Sequence, residues 1–343
     1  DRKPAPQWLW LGPVLGAVFL TAIGLTSSKL VLFALLIVGG IGVGAFHPEA
    51  AVTAGRLIPG QRTRSLSVFM FGGALGLALG PTLSGFVVSN WGLDGLIYLA
   101  APLVGLIFVL RRVGGLAHVV TNVSQSSEPR RSLGAMFEGR GWFALSILAI
   151  CSLRLVPNMA MDKVLAFMLE ERGFDEAGIG RVQSLFLISA SVAMLVMIFR
   201  FRSGWERRFM ILCPLAGIPL LAIIGWEGCP HWLLLTLLVP TGCILWGTTP
   251  AMVSYAQHQF PRGAGVASAL TMGLAWGIAG LIQAPITAYF QKTTVPQHAL
   301  LACIPALLLA GLGAYFLPES RQIDEKQADD QSTVDSHVIP AEA

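Results

Sequence analysis

Charge is what this chain has least of. Only 12% of its 343 residues are Asp, Glu, Lys or Arg, against about 25% in a typical soluble domain, and that deficit excludes an ordinary water-soluble fold. Cysteine is sparse too. Cys151, Cys213, Cys229, Cys243 and Cys303 stand singly in apolar runs. An odd number without metal-ligand spacing argues against both a zinc site and a disulfide framework, and leaves them as small packing residues. No GxSxG, HExxH or phosphate-binding loop occurs, so neither an enzyme nor a nucleotide-driven pump is expected, and no cofactor. The net charge of +4 is dispersed over loops, which argues against a nucleic-acid partner. A secretory signal is missing, and the first residue is Asp1 rather than methionine, so the chain reads as starting inside a longer sequence.

What the chain has is apolar length. Hydrophobic residues make up 54% and the mean hydropathy is +0.68. At roughly 20 residues per crossing, ten spans are expected, at 8–27, 30–57, 66–88, 95–111, 141–168, 178–199, 208–226, 231–255, 263–289 and 297–317. The partner implied first is a lipid bilayer. Seventeen of the 23 basic residues fall on one side of this arrangement and five on the other, with Arg154 inside a span. Because Lys and Arg collect in cytoplasmic loops, both ends are expected in the cytoplasm. Trp8, Trp10, Trp91, Trp142, Trp205, Trp226 and Trp232 fall near span ends, where an amphipathic ring prefers to sit.

A polar segment, 112–140, separates four spans (1–111) from six (141–317). The tail 318–343 carries seven of the 19 acids and is expected to be disordered. The two groups also echo one another. Pro48 and Pro250 are 202 residues apart, as are Pro59 and Pro261, and each pair surrounds a bent span, a turn and a glycine-rich span. Duplicated halves with a site between them are common in transporters.

A few polar groups lie at membrane depth. His47, Pro48 and Glu49 are adjacent within one span, and an ionisable group there costs about 2.5–3.5 kcal/mol on insertion scales. Pro48 and Pro250 each remove a backbone hydrogen bond and are expected to bend their helices. Arg154, Asn158 and Asp162 follow i, i+4, i+8 spacing and share one helix face, which must turn away from lipid. Gly72, Gly73, Gly76, Gly80 and Gly85 are expected to allow close helix contact, with Pro81 among them.

These residues resemble the major facilitator superfamily, and within it the fosmidomycin-resistance branch of drug exporters. The resemblance rests on Ala45-Phe-His-Pro-Glu49, Ser254-Tyr-Ala-Gln257 with Pro261, and Phe316-Leu-Pro-Glu-Ser-Arg321. Gly76-Leu-Ala-Leu-Gly80-Pro81 with Gly85 looks like the family's fifth-helix motif, associated with antiport, and Asp1-Arg2 like the end of its loop between helices two and three. The implied fold is all-α, with ten helices present of an expected twelve, the first two being those expected to be absent. The implied activity is proton-coupled efflux of a small drug-like molecule by a monomeric inner-membrane protein. A proton-driven exporter needs a group that is protonated in one facing state and ionised in the other, a property apolar surroundings confer on carboxylates. Glu49 with His47 is the expected coupling group, the alternative being a purely structural bend. Arg154, Asn158, Asp162, Trp246, Tyr255, Gln257 and Trp276 are expected to wall the substrate cavity. For the first three the alternative is an internal Arg154–Asp162 network, and for the others simple packing. At the level of function the alternatives are a non-transporting remnant and a metabolite importer.

Overall fold

Uninterrupted runs of Leu, Ile, Val, Ala and Phe leave the backbone one way to satisfy its polar groups in an apolar medium, which is to hydrogen-bond within a helix. The computed structural model describes residues 7–56, 62–113, 137, 139–200, 204–260, 264–293 and 295–319, and among these it contains helices and no strand. Ten helices are long and apolar enough to cross a membrane, each matching one expected span. The polar segment 114–136, the tail from 320 onward, Pro59 and Pro261 lie outside the described residues.

In chain order the helices are α1 (Trp8–Thr21, extended by a 3-10 turn, Ala22–Leu25), α2 (Lys29–Arg56), α3 (Arg62–Trp91) and α4 (Ala100–Val113, preceded by a 3-10 segment, Leu93–Leu99). Then come α5 (Gly141–Glu171), α6 (Glu176–Arg200) and α7 (Glu206–Ile224). The remaining three are broken. Helix α8 consists of His231–Gly247 and Thr249–Gln259. Helix α9 is Ala264–Ser268, a π-helical turn Ala269–Leu274, and Ala275–Thr293. Helix α10 is His298–Ala302 followed by Ile304–Tyr315. Tight reversals join neighbours: the α3–α4 and α5–α6 turns use Gly92 (φ 71°) and Gly173 (φ 81°) in left-handed conformations that other residues rarely adopt.

Helices α1–α4 form one group and α5–α10 another. Helix α5 is the hub of the second, packed on α6, α9 and α10. In its apolar window 67% of residues are buried, against 6% for α4. The main contact between the groups runs along α3 and α6, and it is tight enough to engage backbone. A β-carbon on Gly180 would stand 2.2 Å from the Pro81 carbonyl oxygen, and one on Gly85 would stand 2.5 Å from that of Glu176. Thr82 Oγ1 donates to Ser184 Oγ at 2.8 Å.

Two expectations are corrected here. Of the glycine series on α3, only Gly85 meets a neighbouring helix. Gly72, Gly73, Gly76 and Gly80 face open space within 4 Å, because they lie on the side of α3 turned from α6. Among the described residues, Gly76 and Gly80 therefore meet no neighbouring helix. The two prolines also differ in effect. Helix α2 runs unbroken through Pro48, whereas α8 is interrupted at Thr248, two residues before Pro250. Of the tryptophans expected near span ends, Trp91, Trp142, Trp205, Trp226 and Trp232 are exposed there, and Trp8 and Trp10 are partly exposed.

Candidate functional site

The interruption of α8 places a gap in the backbone hydrogen-bond ladder within an apolar layer. Pro250 has no N–H to offer the preceding turn, and the carbonyl groups ending the first piece need donors from elsewhere. They come from α5. Arg154 Nη2 donates to the Leu245 carbonyl at 2.7 Å, and Asn158 Nδ2 donates to the same oxygen at 3.0 Å. Arg154 Nη1 donates to Thr248 Oγ1 at 2.8 Å and contacts Met252 Sδ at 3.1 Å. Thr249 Oγ1 accepts from Nη2 at 3.2 Å.

Arg154 is 2% exposed and Asn158 fully buried, and every acceptor around the guanidinium is neutral. The described residues hold an Arg207–Glu319 ion pair and His–carboxylate contacts at His258–Glu206 and His298–Glu227, and Arg154 enters none of these. Among the described residues, three buried atoms here have no hydrogen-bond partner: Arg154 Nε, Asn158 Oδ1 and Trp246 Nε1. The Trp246 ring lies against Trp276, with centroids 5.4 Å apart at 58°. Trp246 is buried and Trp276, just beyond the π-helical turn of α9, is partly exposed.

The expected cavity residues therefore divide. Arg154, Asn158, Trp246 and Trp276 come together around the break. Asp162 shares their helix but lies eight residues on, about 12 Å along the axis, and forms no ion pair with Arg154, so the Arg154–Asp162 network is not present. Its backbone carbonyl accepts from Gln183 Nε2 of α6 at 2.7 Å. The adjacent Lys163 reaches α9 instead, donating to Gln283 Oε1 at 2.9 Å, while Gln283 donates to Thr287.

Tyr255 and Gln257 have other partners. Tyr255 is fully buried, and its hydroxyl donates to the Pro318 carbonyl at 2.8 Å, which ties the end of α10 to α8. Gln257 Nε2 donates to Ser268 Oγ at 2.7 Å, linking α8 to α9. Both side chains are spent on helix-to-helix contacts at the end of α8 farther from His231, one to three turns beyond the break. Around them Glu206, fully buried, accepts from Ser254 Oγ at 3.1 Å and from the Gly204 amide at 2.8 Å. His258 Nδ1 stands 3.3 Å from the same carboxylate without an aligned hydrogen bond.

On α2, His47 is exposed and its Nδ1 lies 2.9 Å from the Val43 carbonyl of its own helix. The side chains of Pro48 and Glu49 lie outside the described residues. A groove of about 390 Å³ between α5 and α10 is lined by Phe143, Ser146, Ile150, Gly313 and Phe316 among others, and includes none of the anticipated site residues. Groups of three or more metal-ligating side chains do not occur among the described residues.

Sequence reading missed Thr248 and Thr249 as acceptors, the Thr82–Ser184 contact and the π-helical turn. The first was legible: two threonines before a proline, in the same span as Trp246, signal an interruption. The other two depend on which helices become neighbours.

The comparisons with known proteins agree with this architecture. The chain is 24% identical to the fosmidomycin resistance protein of Escherichia coli (strain K12), over 94% of this chain and 79% of that one. It is 22% identical to YfnC, an uncharacterized MFS-type transporter of Bacillus subtilis (strain 168), over 95% and 80% respectively. Among solved structures it is similar to FucP in its outward conformation (TM-score 0.62, 13% identity, 90% of this chain and 81% of that one). It is also similar to the nucleoside transporter NupG (TM-score 0.67, 13% identity, 92% and 84%). A family profile, Major Facilitator Superfamily, matches residues 1–284, and with ten membrane-capable helices in that fold this multi-pass membrane chain belongs to the Major Facilitator Superfamily.

Proposed function

We propose that this protein is a proton-coupled exporter of a small drug-like compound, of which fosmidomycin is the first to test, working by alternating access in a bacterial inner membrane with both ends in the cytoplasm. The observation that carries the reading is the enclosed polar cluster of Arg154, Asn158, Trp246 and Trp276 at the break of α8. Discontinuous helices mark substrate sites in secondary transporters, where freed backbone groups and buried side chains replace the substrate's hydration. The similarity to a fosmidomycin resistance protein across nearly the whole chain supports the direction and the substrate. The 17-to-5 distribution of basic residues supports the orientation.

Coupling is assigned to Glu49, with His47 beside it. A carboxylate alternately exposed to the two sides releases its proton on one and rebinds it on the other, and the exported compound occupies the protein between these steps. Asp162 remains part of the wall, above Arg154 on the same face of α5.

The test is transport in proteoliposomes. A proton gradient directed outward, from an acidic lumen, is expected to drive fosmidomycin uptake into inside-out vesicles. Glu49→Gln is expected to abolish gradient-driven accumulation while retaining exchange of labelled for unlabelled drug. Gradient-driven transport that survives in Glu49→Gln removes Glu49 from the mechanism. Import is the second reading, since one structural neighbour is a fucose:proton symporter. Accumulation in the direction of proton flow, rather than against it, would establish import.

A further inference from the structure

Asp162 stands apart from the other acids of the chain. It lies nine residues before Glu171, the last residue of α5. The remaining described acids of the membrane-capable helices, Asp94, Glu170, Glu171, Glu176 and Glu206, stand at or next to the end of a span. At 1.5 Å per residue, Asp162 is about 14 Å from that helix end. It is partly buried, and among the described residues its carboxylate forms neither an ion pair nor a hydrogen bond.

The charges on the helices around it have other engagements. Lys163 is the charged group that acts on Asp162, yet its ammonium turns to Gln283 of α9, since adjacent side chains on a helix do not face each other. Arg172 of α5 donates to the Cys229 carbonyl. Arg181 of α6 and Lys292 of α9 are exposed. His231 of α8 stacks on Phe174, and His298 of α10 sits beside Glu227. An ionised carboxylate in this place must find a donor, whereas a protonated one need not.

One donor is within reach. Gln183 Nε2 of α6 donates at 2.7 Å to the backbone carbonyl of Asp162. An anionic oxygen is the stronger acceptor, so on ionisation the amide can pass from the carbonyl to the carboxylate of the same residue. The next residue of α6 is Ser184, whose Oγ accepts from the amide and the hydroxyl of Thr82 on α3. A change at Asp162 thus acts one residue from the contact that joins the two helix groups.

We propose that Asp162, beyond lining the wall, is the outer proton station of this transporter, linked through Gln183 to the seam between α3 and α6. The inference rests on the chain being a proton-coupled exporter and gives Glu49 a counterpart near the other face of the membrane. Glu49 is about 10 Å from the end of α2 at Arg56, which is cytoplasmic in the proposed orientation. With the outer side open, the Asp162 carboxylate takes up a proton and returns Gln183 to the backbone carbonyl. With the inner side open, a proton leaves from Glu49. One proton is bound and one released per cycle, and no other bond changes.

The experiment compares two transport rates: fosmidomycin uptake by inside-out proteoliposomes with an acidic lumen, and gradient-free exchange of labelled drug. Beside it, the purified full chain is treated with dicyclohexylcarbodiimide, which adds to protonated carboxyl groups in apolar surroundings, and Asp162 is read by mass. Labelling is expected to rise as pH falls. Asp162→Asn is expected to lower gradient-driven uptake at least tenfold relative to exchange, and Asp162→Glu to recover it. Gln183→Leu is expected to keep the labelling and to lose gradient-driven uptake in the same way. Equal losses of uptake and exchange in Asp162→Asn would reduce Asp162 to a wall residue and overturn the proposal. So would absence of labelling at every pH, or full gradient-driven uptake in Asp162→Asn or Gln183→Leu. Wild-type protein that exchanges drug but ignores the gradient would sink the proton-coupled reading itself, and this inference with it.

Discussion

Ser184 Oγ on α6 accepts two hydrogen bonds from a single residue of α3, the Thr82 hydroxyl at 2.8 Å and the Thr82 amide at 3.1 Å. This is a polar clasp at the seam of the two helix groups, set between two glycines whose missing side chains let the backbones touch. Groups that rock against one another must do so through such a seam, and its geometry dictates which substitutions they tolerate.

Gly180→Ala inserts a methyl 2.2 Å from the Pro81 carbonyl oxygen, so the helices must separate or the backbone must shift. Overpacking of this kind costs about 1–3 kcal/mol. Gly80→Ala, one turn from the same seam but facing open space, is expected to be neutral or stabilising by up to about 1 kcal/mol through helix propensity. Thermal unfolding of the two variants in detergent should move in opposite directions. Equal losses would mean that Gly80 packs as Gly85 does.

Tyr255→Phe removes the hydroxyl that holds the Pro318 carbonyl. The expected cost is about 0.5–1.5 kcal/mol of stability, with the KM for transported drug unchanged. A large rise in KM with normal stability would return Tyr255 to the cavity wall.

Glu206 is fully buried at the start of α7, with Ser254, the Gly204 amide and His258 around it. Glu206→Leu leaves those donors unanswered and is expected to destabilise by about 3–5 kcal/mol, as for one partner taken from a buried pair. Glu206→Gln keeps an acceptor for the hydroxyl or the amide and should recover much of the loss. The check is the melting temperature of each purified variant.

Cys229 lies in the turn between α7 and α8, and burial pushes its thiol above the ordinary value, with Arg172 opposing the shift. The thiolate is the reacting form. Maleimide labelling should therefore be slow at neutral pH and accelerate about tenfold per pH unit until the raised value is passed. In the proposed orientation, with the basic loops cytoplasmic, this turn faces outward. A membrane-impermeant maleimide added to intact cells should reach Cys229 at high pH, and Cys229→Ser should remove that labelling. Labelling only after the cells are opened would reverse the orientation.

The set of helices and their limits were written in the order of residues alone. Apolar length is a local property, and an apolar medium gives such a segment no alternative to the helix. All ten spans, the exposed tryptophans at their ends and the helix face shared by Arg154 and Asn158 were legible for that reason. Partners were settled by packing in three dimensions. It sent Arg154 to the break of α8 rather than to Asp162, gave Tyr255 and Gln257 to helix contacts, and left Gly76 and Gly80 in open space while Gly85 and Gly180 met backbone. A side chain's partners depend on the rotation and depth of helices far apart in sequence, which no pattern within one span encodes. The same proline spacing marks α2 and α8, yet only α8 of the two is interrupted, at a place where the Arg154 guanidinium and the Asn158 amide, both from α5, donate to the Leu245 carbonyl.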